Sequence, residues 1–446
     1  MQKGLIIAGI TIDGQPVSVG VRGIESGLGA DFISSGKYTP DVYIPSSEIY
    51  GSMLQEKGVK INLTEKRIAG NVAGVILSKR ANDALAKKYN SLDSKTIVNS
   101  ILNNEIVIGY TNPLSSAEGL NFLITALYSF DSNNLTSETA VSQLRKFQDN
   151  IPYVSYDSVQ LKESVLNGTL DGFASDYQTY IVSSDLKSSY VFIPFGMRQD
   201  QPVYTIGDLS TLKEQIVSKF IEYCKSAEAQ TVATEKGFNN LNEYDYSMSL
   251  DGATIVKAQD IWKKEKNGSS DLTAVFIADI SGSMEGSPLL KLKASLSRAA
   301  TFIDENTNVG LVTFSDNVNI ALPIAKFDLS QKAYFTNAVK SMRAGGGTAM
   351  FDAVIVGQKM LMDAKSKNPN TKLMLFVLTD GETNRGYEFE DIENITRGLK
   401  IPVYTIGYNE DIEVLKNLSD INEAVTMNAE SDNVIYKLES LFNAQM

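Results

Sequence analysis

The stretch Asp279-Ile280-Ser281-Gly282-Ser283 sets one carboxylate and two hydroxyls side by side, directly after the apolar run Leu272–Ala278. That run is short and β-prone and reads as a buried parallel strand, with Asp279 at its carboxyl end. Asp-x-Ser-x-Ser on the turn beyond supplies hard oxygen ligands from one loop, a set that suits Mg²⁺ or Mn²⁺. Two further oxygens stand where such a site needs them. Thr348 lies in Gly345-Gly346-Gly347-Thr348-Ala349, a glycine turn leading into an apolar helix, and Asp380 ends the strand Lys372–Thr379. In an open α/β sheet the carboxyl ends of neighbouring strands converge on one crevice, so residues from all three loops can meet over one ion. The competing explanation, ordinary turn residues, fits any one piece but not three ordered pieces in three strand-end loops.

This ordered set resembles the von Willebrand factor A family and its metal-ion-dependent adhesion site, over about Asp271 to Met446. The resemblance implies that Asp279, Ser281, Ser283, Thr348 and Asp380 hold Mg²⁺, or Mn²⁺, with Ca²⁺ also admissible. It further implies an open coordination position that accepts a Glu or Asp carboxylate from a partner protein. An unfilled position on a hard dication does suit one more anionic oxygen. No general base and no activated nucleophile accompany the motif, so a binding protein is expected rather than an enzyme.

Composition narrows the field. The 446 residues contain no histidine and one cysteine, Cys224. Histidine-based triads, zinc-hydrolase sites and intrachain disulfides are thereby excluded. Cys224 ends the apolar-periodic run Ile216–Cys224 and is expected as a buried core thiol. A formal charge of −12 repels phosphates and argues against nucleic acid as a partner. No run reaches the ~18 apolar residues of a membrane span. Met1-Gln2-Lys3 leads into an apolar stretch that soon turns polar, so no signal peptide is expected there.

Alternating strands and helices must position the chemistry. In the second half, helices Pro288–Asn306, Gln331–Met342, Phe351–Ala364 and Phe389–Lys400 alternate with strands Val309–Phe314, Lys372–Thr379 and Pro402–Gly407, and Val318–Ala321 is expected as an edge hairpin. Helix Ile412–Leu418, a strand at Ala424–Met427 and helix Asp432–Phe442 close the chain, giving a doubly wound sheet. In the first half, strands Gln15–Val21, Asp41–Pro45, Ile68–Ser78 and Ile106–Tyr110 feed Ser- and Gly-rich turns that open helices.

The order of "ISSGKYTPDVYIPSS", "IGYTNPLSSAEGLNF", "LNGTLDGFASDYQ" and "FIEYCKSAEAQTVATEKGF" resembles bacterial extracellular solute-binding proteins, two-lobed periplasmic-binding-protein-like clamshells of the molybdate- and sulfate-binding type. Members of that family usually begin with a further strand and Ser-bearing helix, so the chain is expected to lack its first βα unit and any upstream leader or anchor. The resemblance implies a cleft lined by helix N-termini, which favour anions. Its candidate ligand residues are Ser26, Gly27, Ser46, Ser47, Ser115, Ser116, Asp176 and Tyr177. Each serine has a plainer use as a helix N-cap worth about 1 kcal/mol.

The expected fold class is α/β, a two-lobed clamshell followed by a doubly wound, Rossmann-like domain. The expected boundaries are residues 1–241 for the clamshell, 242–270 for a linker with one helix carrying Trp262, and 271–446 for the A domain. The functional expectation is a non-enzymatic, extracytoplasmic binding protein, reaching a membrane only through an anchor outside this chain. Left open beside it are a receptor of an ABC-type importer with an accessory A domain, an adaptor for an AAA⁺ ATPase and, more remotely, a metal-dependent hydrolase.

Overall fold

The computed structural model describes the backbone of residues 3–428 apart from residues 13–14, 153, 156–157, 247, 249, 269, 382, 409–412 and 421–425. The chain divides into two compact units, Met1–Lys266 and Asn267–Met446.

The second unit is built on Leu272–Asp279, whose residues are all buried. Asn308–Phe314 and Lys372–Thr379 flank it in parallel, and Val403–Gly407 and Thr426–Asn428 continue the sheet beyond Lys372–Thr379. Val318–Lys326 closes the other edge in antiparallel register, where half-exposure is tolerable. A strand buried on both faces must be apolar throughout, which is why this one reads as a continuous run rather than an alternation. One face carries the stack Phe276–Phe376–Tyr404, with centroids 4.9 and 5.1 Å apart. On the other, Val275, Ile277, Leu375 and Val377 join the core that includes Ala353, Val354 and Leu361 of the helix Met350–Lys367. The register pairs Ala278 with Leu378, so Asp279 stands abreast of Thr379, and Asp380 follows at the same sheet end. The helix expected at Asp432–Phe442 lies outside the described residues, as does the start of the expected strand Ala424–Met427, of which Thr426–Asn428 is described.

The first unit contains a hairpin of Lys3–Ile12 with Gln15–Val21, and two further sheets. Val42–Tyr43, Val203–Ile206 and Ile61–Glu65 form a small antiparallel sheet. Gly172–Asp176 is central in a five-stranded sheet, with Val72–Ser78 and then Tyr190–Arg198 on one side and Ile108–Thr111 and then Val154–Ser155 on the other. The chain passes between these sheets twice, after Glu65 and after Arg198, as a two-lobed fold requires.

The helix expected within a connector packs into this unit. Gly252–Glu265 lies against Ile49–Glu56 beside the small sheet, and against Ala117–Phe130 and Glu138–Asp149 beside the large one. Trp262 is fully buried and its Nε1 donates to the Tyr110 hydroxyl at 2.7 Å, while Gln259 donates to the Pro113 carbonyl at 2.8 Å. Gly252 rides so close to the Ser52 carbonyl that a Cβ would sit 2.2 Å from its oxygen, a contact only glycine permits. Cys224 departs from expectation: it is half-buried, because its helix Thr211–Cys224 buries only Val217.

Candidate functional site

The metal-motif residues meet at the carboxyl end of the second unit's sheet. Asp279 is fully buried; its Oδ1 accepts the Ser281 amide at 2.7 Å, and its Oδ2 accepts the Thr379 hydroxyl at 2.5 Å. Gly282–Met284 forms a single 3-10 turn, which brings the Ser281 and Ser283 hydroxyls within 3.0 Å of each other. Ser281 is buried and Ser283 exposed, so the pair leads from the strand end toward solvent.

The glycine loop is locked to this turn through backbone alone. Gly282 donates to the Gly346 carbonyl and Gly345 to the Ile280 carbonyl, both at 2.9 Å. Gly346 adopts φ +87°, and a Cβ there would lie 2.5 Å from an Asp316 carboxylate oxygen. Thr348, 3% exposed, follows two residues later; its amide donates to the Asn384 side chain at 2.9 Å, and its carbonyl accepts the Thr383 hydroxyl at 2.7 Å.

Asp380 is 7% exposed, and no ion pair among the described residues reaches it or Asp279. The adjacent Arg385 pairs with Asp316 instead, at 3.5 Å. Burial, reinforced by the Asp380 charge, pushes the Asp279 carboxyl up to about 6 against the hydrogen bonds of Thr379 and Ser281. Two largely buried acids with hydroxyls and no cation are an uncompensated concentration of negative charge. That all-oxygen donor set fits a hard divalent ion. Among the described residues no three His, Cys, Asp and Glu side chains gather into a metal cluster, so this site relies on its hydroxyls.

In the first unit the candidate cleft residues are also drawn together, but largely onto one another. The Ser26 and Ser46 hydroxyls lie 3.3 Å apart, and the Ser46 amide donates to Ser26 Oγ at 3.1 Å. Gly27 donates its amide to the Ser115 carbonyl at 2.7 Å, which leaves that N–H with a partner inside the chain. Ser47 Oγ accepts the Ile49 amide at 3.5 Å, and Ser116 caps Ala117–Phe130 through the Gly119 amide at 3.3 Å. Asp176 caps Tyr177–Val182 through the Thr179 amide at 2.6 Å. Tyr177 packs edge-on against Phe192, with centroids 5.1 Å apart.

Residues 14–239, just over half of the sequence, match the family described as bacterial extracellular solute-binding protein. The chain belongs to that family. Residues 274–444 of this solute-binding protein match the von Willebrand factor type A domain. The A domain is 26% identical over 176 residues to a von Willebrand factor A domain-containing protein of Dictyostelium discoideum, covering 37% of this chain and 18% of that one. It is 27% identical over 151 residues to inter-alpha-trypsin inhibitor heavy chain H1 of Mesocricetus auratus, covering 31% and 16%. The chain therefore spans less than a fifth of either relative. A solved periplasmic thiamin binding protein aligns over 55% of this chain and 85% of its own, at 13% identity and a TM-score of 0.41.

Several supporting residues of the A domain escaped the sequence reading. Thr379 orients Asp279, Asn384 holds the Thr348 amide, and Asp316 holds the Gly347 amide at 2.9 Å. Thr379 could have been found from its place at the end of the strand before Asp380; Asp316 and Asn384 carry no local signal. In the solute-binding region the omission is Glu118, whose Oε2 accepts the Ser116 hydroxyl at 2.6 Å.

Proposed function

We propose that this solute-binding-family protein is a non-enzymatic, metal-dependent binding protein acting outside the cytoplasm. Asp279, Ser281, Ser283, Thr348 and Asp380 would hold Mg²⁺ or Mn²⁺, with Ca²⁺ a weaker fit. The bound ion would supply a Lewis-acidic position for a Glu or Asp carboxylate of a protein partner. The observation that carries this reading is the pairing of two cation-free acids with the Ser281–Ser283 hydroxyls at one sheet end. The family description of residues 14–239 supports the extracytoplasmic setting, and no described helix is long and apolar enough to cross a membrane. The clamshell is the second binding module, for a small ligand.

Calorimetry of Mg²⁺ and Mn²⁺ against wild type and Asp279→Ala tests the metal site, with EDTA-sensitive capture of an acidic partner as the functional readout. Partner capture that persists in EDTA sinks the proposal.

A further inference from the structure

A two-lobed unit opens freely when only its crossing strands join the lobes and a few residues there absorb the rotation. In the first unit three further connections run between the lobe of the small sheet and the lobe of the five-stranded sheet.

One connection is direct. Helix Ser26–Ser34 belongs to the small-sheet lobe, where the Tyr43 hydroxyl donates to the Ser26 carbonyl at 2.5 Å. Its Gly27 amide donates to the Ser115 carbonyl at 2.7 Å, on the loop that follows strand Ile108–Thr111 of the other lobe. A Cβ on Gly27 would lie 2.3 Å from the Leu114 carbonyl oxygen, so the absence of a side chain is what lets the two backbones touch.

The second connection is the helix Gly252–Glu265, which lies outside both matched regions. Its 14 residues make a rod of about 20 Å. The first turn sits on the small-sheet lobe: a Cβ on Gly252 would lie 2.2 Å from the Ser52 carbonyl oxygen and 2.8 Å from the Glu56 Cβ. The last turns are fixed to the other lobe. Gln259 bonds Pro113, Trp262 bonds Tyr110, and Glu265 accepts both prongs of Arg145, on helix Glu138–Asp149, at 2.7 and 3.1 Å. Between its ends, Ile255, Ala258 and Trp262 are fully buried in one continuous apolar core. That core also holds Tyr50 and Leu54 of one lobe and Ile108 and Leu123 of the other. Parting the lobes would split it and return apolar surface to water.

The third connection braces a crossing. Arg198, where the chain leaves the five-stranded sheet, makes a two-pronged pair with Asp200 at 2.8 and 2.9 Å. It also donates to the Leu241 and Tyr244 carbonyls at 2.8 and 3.1 Å, and the Tyr244 hydroxyl donates back to the Gly196 carbonyl at 2.8 Å. The tract leading into Gly252–Glu265 is thus tied to the strand that would have to swing.

We infer that helix Gly252–Glu265 is a built-in strap that holds the two lobes shut, so that they part only when one of its ends leaves its lobe. On the reading that the cleft takes a small ligand, release of the strap is what admits it. The strap itself rests only on the contacts between the lobes, and its test needs neither ligand nor metal.

The test uses the full-length chain. Thr64→Cys on the small-sheet lobe and Lys87→Cys on the other, both exposed, carry nitroxide labels in a Cys224→Ser background, and pulsed electron resonance reads the distance between them. Amide exchange at Gly27 reads the direct contact. Trp262, the only tryptophan, reports by its fluorescence whether the strap's last turns stay buried. Wild type is expected to give one distance and slow Gly27 exchange. Gly252→Val forces the first turn off Ser52 and should add a longer distance and speed Gly27 exchange about tenfold or more, with Trp262 emission unchanged. The pair Arg145→Ala with Gln259→Ala frees the other end through polar contacts alone, and decides the matter should Gly252→Val fail to fold. It should lengthen the distance and shift Trp262 emission to the red. Two distances already present in wild type, or folded strap variants that keep the wild-type distance and exchange rate, overturn the inference.

Discussion

The A-domain site and the solute-binding cleft are made from the same residue types, Ser, Gly and Asp on turns at the ends of strands, yet they end in different chemical states. In the A domain the backbone does the joining: Gly282 to Gly346 and Gly345 to Ile280 tie two loops together without consuming the hydroxyls. In the cleft the donors are consumed. Gly27 is bonded to Ser115, Ser46 to Ser26, and the helix N-termini are met by Glu118 and Asp176. Among the described residues no ion pair reaches Asp279 or Asp380 in one region, or Glu118 or Asp176 in the other, but the first has the Ser281 and Ser283 hydroxyls on the adjoining turn, whereas in the second Glu118 accepts the Ser116 hydroxyl and Asp176 the Thr179 amide.

The strongest way to break this comparison is to damage one region and look for an effect on the other. Trp262→Ala removes a fully buried ring and its bond to Tyr110, and should cost the first unit about 3–5 kcal/mol in denaturant unfolding. Divalent-metal affinity should stay at the wild-type value; a parallel loss would mean that the two regions are not independent. Asp279→Ala should lower Mg²⁺ or Mn²⁺ affinity about a hundredfold or more in calorimetry, since it deletes a carboxylate from a set that holds only two. Thr379→Val keeps the shape of the strand end but deletes the hydroxyl that orients Asp279, and should cost about tenfold in the same measurement. An unchanged affinity would show that Asp279 is held by Ser281 alone.

The smallest effect concerns pH in the ligand-free cleft. Glu118, facing Asp176, Glu25 and Tyr50, is held above its unfolded value of 4.5 by burial and by the Asp176 charge. A carboxyl raised on folding stabilises the folded chain while protonated. That contribution is complete below the unfolded value and is lost as pH rises through the folded one toward neutrality. Thermal unfolding of wild type should therefore weaken over that window relative to Glu118→Gln, which has no proton to lose. Parallel pH profiles for the two proteins would refute the assignment.

The second unit was the more legible from sequence because a parallel strand buried on both faces leaves an unbroken apolar run, and its carboxyl end locates Asp279 and Asp380 to the residue. Thr348 was legible through its glycines, one of which needs φ +87°. The connector was harder. The polar residues Asn242–Ser270 have the composition of a linker, but Gly252, Gln259 and Trp262 are fitted to Ser52, Pro113 and Tyr110, partners more than a hundred residues away. Cys224 was misjudged for the same reason, since periodicity gives a helix its apolar face but not the surface that covers it.

Composition alone excluded imidazole and thiolate chemistry, and local pattern alone set the strands, the turns and the oxygen-rich loop at Asp279, because those depend on near neighbours in the chain. The surroundings of the first unit's helix N-termini were decided only by tertiary structure. Helix N-termini read one at a time favour an anion through their dipoles. Folding buries Glu118 in the first turn of one such helix and Asp176 at the N-cap of another, and burial raises the ionisation of both, a condition that dipoles read singly do not reveal.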